Sequence, residues 1–316
     1  MFGSPINTDS IDIIIINYNN FELTKNCISS ILETYENKIN ILVIDNNSTD
    51  GSVEKLKISF PDIEIITNAA NLGYAYAVNR GFEASKSDIV IISNNDVVYL
   101  PYSISNLIEP FHSFDDIGVI GPQQIYPDGN WQYSYGTFPG IKTALMDLLL
   151  INYFSHFIKK IQWKLKIFSN ELKPVEYIDG AIMAIRRTAF QSVNGFDEDY
   201  FFYTEEADFC YKLKKSGWKI LFNPKSMVIH ERGGSTSKMG LNSKNIEMFI
   251  NSKIKFCNKH LKTIETKLFI LLEKFHHFFL AFTFNFLDLF FKERIRTIKS
   301  KKQIFINLYN GWKNVG

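Results

Sequence analysis

Six residues near the start, Ile11-Asp12-Ile13-Ile14-Ile15-Ile16, constrain the fold more than any other stretch. β-Branched side chains on nearly every position leave no wet face, so this run predicts a strand covered on both sides. Such strands are typically parallel, and parallel neighbours need long crossovers. Further apolar runs at residues 39–44, 63–67 and 89–93 are spaced accordingly. Between them, Leu23, Cys27, Ile31 and Tyr35 recur at helical spacing behind a cap at Asn19 or Asn20, and residues 73–85 read as a second helix. Strand–helix alternation predicts an α/β fold with a mostly parallel sheet. Ligands in such sheets gather beyond the carboxyl ends of the strands, so the loops after each strand are the ones to inspect.

Farther on, residues 131–138 read as a hairpin, 143–168 as one helix with Lys159, Lys160, Lys164 and Lys166 late in it, and 177–186 as a strand. Residues 205–216 read as a short helix, 219–222 and 227–229 as strands, and the chain beyond about residue 240 as helical. With 316 residues, 46% of them hydrophobic, a sizeable core is available and global disorder is excluded. The net charge of +2 argues against nucleic acid as a partner. Cys27, Cys210 and Cys257 fit neither a disulfide framework nor a zinc cluster, which predicts a reducing compartment. Residues 1–10 lack the pattern of a signal peptide, and no apolar run is long enough to predict a spanning helix.

Four loops can carry chemistry. Asp45-Asn46-Asn47-Ser48 follows the second strand, where a carboxylate can accept from a base or ribose, or simply close a turn. Asn94-Asn95-Asp96 follows the fourth, where Asp96 can ligate a hard cation or cap a turn. In Thr204-Glu205-Glu206-Ala207-Asp208, Thr204 is the expected N-cap. The helical wheel puts Glu206 on the inward face with Phe209, Cys210 and Leu213, and Glu205, Asp208, Lys212 and Lys215 on the outer face. An inward carboxylate is costly unless it has work to do, such as general-base catalysis; acids in a first turn also simply complement the helix dipole. His230-Glu231-Arg232-Gly233-Gly234 can offer a metal ligand, a phosphate partner and a closing loop, or a structural histidine.

In order, the stretches IIIINYN (13–19), VIDNNSTDGS (43–52), NLGYAYAVNRG (71–81), ISNNDV (92–97), GAIMAIRRTAFQSVNGFDEDYFFYTEEADFCYKL (180–213) and HERGGS (230–235) resemble family 2 glycosyltransferases of the GT-A fold. They are most similar to the rhamnosyltransferase-like branch that builds bacterial O-antigen, capsule and other surface polysaccharides. The resemblance implies a GT-A nucleotide-diphospho-sugar transferase domain over residues 1–239, with a donor half at about 10–125, an acceptor half at about 126–239 and a helical extension at 240–316. It implies an inverting enzyme moving a sugar from dTDP-rhamnose or a UDP-sugar to a hydroxyl of a lipid-linked or growing glycan.

The resemblance also assigns roles. Glu206 falls at the general base; Glu205, Asp208 and Asp179 are secondary candidates, with Arg232. Asp45 would read the donor base, beside Asn17, Tyr18, Asn19 and Asn47. Arg80 would approach the phosphates. Asn94, Asn95 and Asp96 stand at the D-x-D motif, the first acid being Asn94 here. Asp96 and His230 would hold Mg2+ or Mn2+.

Residues 268–291 are crowded with Phe, Leu and Ile, and a basic cluster from Lys292 to Lys302 follows. This pattern fits peripheral contact of about residues 268–302 with an anionic membrane, or equally packing on the domain or in a homodimer. The family's polyprenyl-diphosphate-linked acceptors favour the membrane, at the cytoplasmic face of the bacterial plasma membrane. A nucleotidyltransferase would carry a glycine-rich loop where this chain has Asn17-Tyr18-Asn19-Asn20, and neither G-x-G-x-x-G nor G-K-[ST] occurs. A catalytically silent scaffold subunit of a polysaccharide assembly complex is the alternative from another class; Asp96, Glu206 and His230 together argue against it.

Overall fold

The computed structural model describes residues 11–231, 243–291 and 296–315. Arg232 and the glycines after it, like Lys292 and Arg294 of the basic cluster, lie outside the described residues. In chain order the first elements are β1 (Ile11–Asn17), α1 (Phe21–Thr34), β2 (Ile39–Asp45), α2 (Ser52–Ser59), β3 (Glu64–Thr67), α3 (Tyr74–Ala84) and β4 (Ile89–Asn94). Next come β5 (Val97–Tyr99), α4 (Ser103–Ile108), α5 (Pro110–Ser113), β6 (Ile117–Ile125), β7 (Tyr135–Gly136), α6 (Ile141–Leu148) and α7 (Ile151–Lys164). The chain continues with β8 (Lys173–Pro174), β9 (Tyr177–Ile178), β10 (Ile182–Arg186), α8 (Arg187–Ser192), α9 (Glu205–Lys215) and β11 (Lys219–His230). Helices α10 (Ser243–His260), α11 (Thr263–Phe291) and α12 (Arg296–Lys313) end it.

The isoleucine run forms the buried β1, as its composition requires. Its one acid, Asp12, is held by the backbone N–H groups of Lys86 (2.5 Å) and Ser87 (2.8 Å) and by the Asn40 amide (2.9 Å). Desolvation would raise its pKa, but these donors win and the net shift is downward. Strands β1, β2, β3 and β4 pair in parallel within the order β3-β2-β1-β4-β10-β6-β11-β5. The register aligns Asn17 with Asp45, Asp45 with Thr67 and Ile16 with Asn94, so the polar loops leave the sheet at one edge. The mostly parallel α/β expectation therefore holds. It is broken at β10, which runs antiparallel between β4 and β6, and at β5, antiparallel to β11.

Three local expectations change, and the choice between two caps of α1 is settled. Residues 131–138 do not pair with themselves: Trp131 bridges back to Ile125, and β7 pairs with β9. The helix expected over 143–168 breaks at Leu149 and Leu150, where Leu150 takes a left-handed φ of 58°. The two short strands at 219–222 and 227–229 are one strand, β11, with an irregularity between Asn223 and Met227. The cap of α1 is Asn20, whose side chain accepts from the Leu23 N–H.

The chain divides into two compact units, residues 1–137 with 160–238, and residues 138–159 with 239–316. The first holds the large sheet. The second is helical and takes in α6 and most of α7 along with α10, α11 and α12. Its interior includes Ile246, Ile250, Phe256, Phe269, Leu280 and Trp312. Among the described residues, no helix is long and apolar enough to cross a membrane.

All three cysteines are free and buried, and burial first of all pushes each thiol up to about 12. A thiol reagent at neutral pH is therefore expected to leave the folded protein unmodified and to titrate three thiols once it is denatured. Stoichiometric reaction of the native chain would contradict this burial.

Candidate active site

The loops at the sheet's carboxyl edge are tied by one buried amide. Asn17 Nδ2 donates to Asp45 Oδ1 (2.7 Å) and Ser48 Oγ (3.3 Å). Its Oδ1 accepts from Thr24 Oγ1 (2.7 Å) and Asn95 Nδ2 (3.1 Å). Asp45 is fully buried and also accepts from the Ser48 N–H (2.8 Å) and hydroxyl (2.5 Å). Asn19, left-handed at φ 51°, accepts from the Thr49 N–H at 2.7 Å, joining the loops after β1 and β2. Tyr18 and Asn47 remain exposed beside them. The structure thus unites Asn17, Asn19, Asp45 and Asn95 in one network. Arg80 instead lies on an exposed stretch of α3 and pairs with Glu83 at 3.0 Å.

The second feature follows from the register of β5 on β11, which sets Val97 opposite His230. Asp96, one residue earlier, receives the Glu231 N–H on its carbonyl (3.0 Å), and its Oδ1 lies 3.4 Å from His230 Nε2. His230 Nδ1 faces two amide oxygens, Gln124 Oε1 at 2.9 Å and Gln132 Oε1 at 2.7 Å. With the amides so assigned, Nδ1 carries a proton and Nε2 is aimed at Asp96. Asp96 Oδ1 is buried and has no hydrogen-bond partner. An orphan carboxylate oxygen facing an imidazole nitrogen fits a divalent cation, with Asp96 and His230 as two ligands and room in the shell for oxygens of a diphosphate. Among the described residues no cluster of three or more His, Cys, Asp or Glu could hold a metal by itself.

The third feature is a group of carboxylates around Tyr74. Its hydroxyl donates to the Gly180 carbonyl at 2.7 Å. Burial, followed by the charges of Glu205, Glu206, Asp179 and Asp96, pushes the phenol well above its ordinary value. Tyr74 enters α3 behind Gly73, at φ 99°, where any Cβ would strike the Phe201 backbone; Tyr74 N–H donates to the Phe201 carbonyl at 2.9 Å. Glu206 is half-buried, with Gly180 beside it: a Cβ at 180 would sit 3.5 Å from Glu206 Cβ. Asp179 accepts from Gln124 Nε2 at 3.4 Å, so Gln124 spans the distance between His230 and this group.

The wheel's outer face needs correction. Glu205 and Asp208 are both buried. Tyr203 and Thr204 are left-handed (φ 72° and 69°) and fold the preceding loop across that side of α9. There Tyr200 Oη donates to Asp208 (3.5 Å) and Lys212 Nζ to the Gly195 carbonyl (2.7 Å). For the same reason Thr204 makes no side-chain cap. Burial, then the neighbouring Glu206 carboxylate, pushes Glu205 well above the usual carboxylate range, and its Oε2 has no partner. Sequence reasoning missed Tyr74, Gln124 and Gln132. A buried tyrosine at a helix start was the one available signal; the glutamines meet His230 from 106 and 98 positions away.

A family model described as Glycosyl transferase family 2 matches residues 12–193, more than half of the chain. The chain belongs to glycosyl transferase family 2. A second model, N-terminal domain of galactosyltransferase, matches residues 163–232 of this family 2 chain. Among its relatives is the N-acetylglucosaminyl-diphospho-decaprenol L-rhamnosyltransferase of Mycobacterium tuberculosis, 28% identical over 242 residues, 73% of this chain and 79% of the relative. The rhamnosyltransferase WbbL of Escherichia coli is 32% identical over 99 residues, 31% of this chain and 34% of the relative. The mannosyltransferase PcManGT of Pyrobaculum calidifontis, solved with GDP-Man and Mn2+, superposes with a TM-score of 0.61 at 14% identity, covering 95% of this chain and 85% of its own. That likeness carries the fold, GT-A. This family 2 chain is therefore a glycosyltransferase with a rhamnosyltransferase-like sequence.

The raised Glu205 gives a signed expectation. Its folded pKa exceeds the unfolded value, so the folded state holds a proton that the unfolded state has lost, and stability falls as pH rises above the unfolded pKa. Glu205→Gln removes that loss. Its unfolding free energy relative to wild type should climb with pH from about 4.5 upward, by at most about 1.4 kcal/mol per pH unit. Denaturant melts at stepped pH measure it; parallel wild-type and variant curves would show an ordinary carboxyl at 205.

Proposed function

We propose that this glycosyltransferase is inverting and metal-dependent, and moves a sugar from dTDP-rhamnose or a UDP-sugar to a hydroxyl on a polyprenyl-diphosphate-linked or growing surface glycan. The observation that carries the reading is the orphan Asp96 carboxylate facing His230 Nε2 at 3.4 Å, in the unit that also holds the carboxylates around Tyr74. The donor's nucleoside would lie along the Asn17–Asp45 network, where Asp45 fixes the loops while Tyr18 and Asn47 offer exposed contacts. Its diphosphate would reach Asn94 and Asp96. A cation held there by Asp96 and His230 would neutralise charge on the leaving nucleoside diphosphate. Gln124 and Gln132 keep the His230 proton on Nδ1.

Glu206 would take the proton of the acceptor hydroxyl while the oxygen attacks the anomeric carbon from the side opposite the diphosphate. One displacement then inverts the configuration. Gly180 lies beside that side chain, where an added Cβ would meet Glu206 only at ordinary contact distance. Burial and then the Glu206 charge push the neighbouring Glu205 upward, toward its neutral form. The lipid-linked acceptor named for the mycobacterial relative supports a carrier of the same class here.

The helical unit supports work at the inner face of the plasma membrane. On helix α11, Leu271, Phe275, Phe278 and Phe282 are exposed, while Glu273, His276 and His277 are buried along with Phe269 and Leu280. Lys253 Nζ and His277 Nδ1 each lie 3.8 Å from Glu273 Oε2. An exposed apolar face of this kind suits a surface that meets lipid rather than water. Residues of about 268–302 would make this peripheral contact.

Two experiments test these readings. Glu206→Gln should lower sugar transfer by about 10²- to 10⁴-fold with donor binding retained, scored as nucleoside diphosphate release from a panel of nucleotide sugars with and without Mg2+ or Mn2+. Near-normal turnover would remove Glu206 from the role. Deleting the chain from Leu268 onward should move the protein from the membrane to the soluble fraction, and unchanged partition would refute the C-terminal contact.

A further inference from the structure

The other unusual surface lies on α7, in the stretch where the sequence showed no motif. Not one of the 14 residues of this helix is buried. Phe154, Ile158, Ile161 and Leu165 follow one another at four-, three- and four-residue spacing, with Phe157 beside them, so they form a single stripe. Phe154, Phe157 and Leu165 are each at least 60% exposed. The opposite side is anchored: Trp163, stacked on Phe168 with ring centroids 4.9 Å apart, donates its indole N–H to the Gly129 carbonyl at 3.0 Å. The stripe is thus on the side of the helix away from Trp163 and its contacts. At 1.5 Å per residue α7 is about 21 Å long.

The charge around the stripe says what it meets. Between Asp147 and Glu171 the chain has four lysines and no acid, and Lys160, Lys164 and Lys166 are exposed. Lysines bordering an apolar stripe can bury their stems while their ammonium groups reach a charged layer above it. A second copy of α7 laid against the first would bring the same lysines and no carboxylate to answer them. Anionic headgroups over acyl chains answer both the charge and the stripe.

We propose that α7 is an interfacial helix, lying in the headgroup region of an anionic bilayer with Phe154, Phe157, Ile158, Ile161 and Leu165 inserted. This rests on the reading that the enzyme works at a membrane, and adds to it a docking element outside residues 268–302.

The test is flotation of the full-length protein with phosphatidylglycerol–phosphatidylcholine vesicles and with pure phosphatidylcholine vesicles. Wild type is expected to float with the anionic vesicles. Phe154→Ser/Phe157→Ser/Ile161→Ser, all exposed positions, should weaken partition at least about tenfold with the thermal melt retained. Lys160→Gln/Lys164→Gln/Lys166→Gln should erase the preference for phosphatidylglycerol. If both triple variants float as wild type does, the proposal fails. It also fails if the apolar triple turns a dimer into a monomer, by sedimentation, while flotation is unchanged. Truncation from Leu268 separates the two readings: release on truncation but not with the α7 variants sinks this inference alone, and the converse sinks the C-terminal contact alone.

Discussion

A single buried amide, Asn17, holds the polar edge of the sheet together. It stands where β1 ends, and both ends of its side chain are used: one side to Asp45 and Ser48, the other to Thr24 and Asn95. The isoleucines before it form a strand with no polar side chain but Asp12, so the change from apolar strand to hydrogen-bonding loop is abrupt. An unmade bond in this dry setting would cost about 1–3 kcal/mol per group, and each partner sits on a different element. Loops after β1, β2 and β4 are therefore fixed relative to one another before any ligand arrives. Such preorganisation would serve the proposed nucleotide cleft, and the Asp45 carboxylate is spent on it inside the protein.

The antiparallel insertions serve the same edge. β10 enters between β4 and β6 and hands the chain onward to α8 and α9, the helix that carries Glu205 and Glu206. β5 pairs with the end of β11 and so brings Asp96 to His230, far apart in the sequence. Gln124, on β6, reaches His230 with its oxygen and Asp179 with its nitrogen. One amide thus joins the cation-fitting pair to the carboxylate group, and its two ends have opposite preferences: the oxygen holds a ring proton and the nitrogen faces a carboxylate.

Much of this was legible because it is local. The isoleucine run, the crossover spacing and the loop residues at strand ends gave the parallel half of the sheet and the positions of Asn17, Asp45 and Asp96. What was not legible depended on chain segments that return from far away. The wheel of α9 placed Phe209, Cys210 and Leu213 inside, where they are. It misplaced Glu205 and Asp208 because periodicity assumes that a helix has one covered face, and the loop before α9 covers a second. Residues 143–168 kept their helical period while Leu150 broke the helix, since a left-handed leucine carries no signature in the pattern. Gln124 and Gln132 look like any polar residues until β6 and β11 are paired.

One helix of the second unit departs from the logic of the sheet. In the sheet, burial selects isoleucine and tolerates a polar group only where several donors converge, as at Asp12. In α11 burial selects Glu273 and His277, and burial first of all drives the pKa of the glutamate up and that of the histidine down to about 4. Each shift moves its group toward the neutral form, which lowers the cost of an interior whose partners are as distant as 3.8 Å. Hydrophobic residues are divided on α11: Phe269 and Leu280 are buried, while Leu271, Phe275, Phe278 and Phe282 are exposed. Under the proposed membrane contact that exposed face, like the stripe on α7, would lose its water to lipid. The proposed membrane would serve both helices at once, as one apolar phase outside the protein.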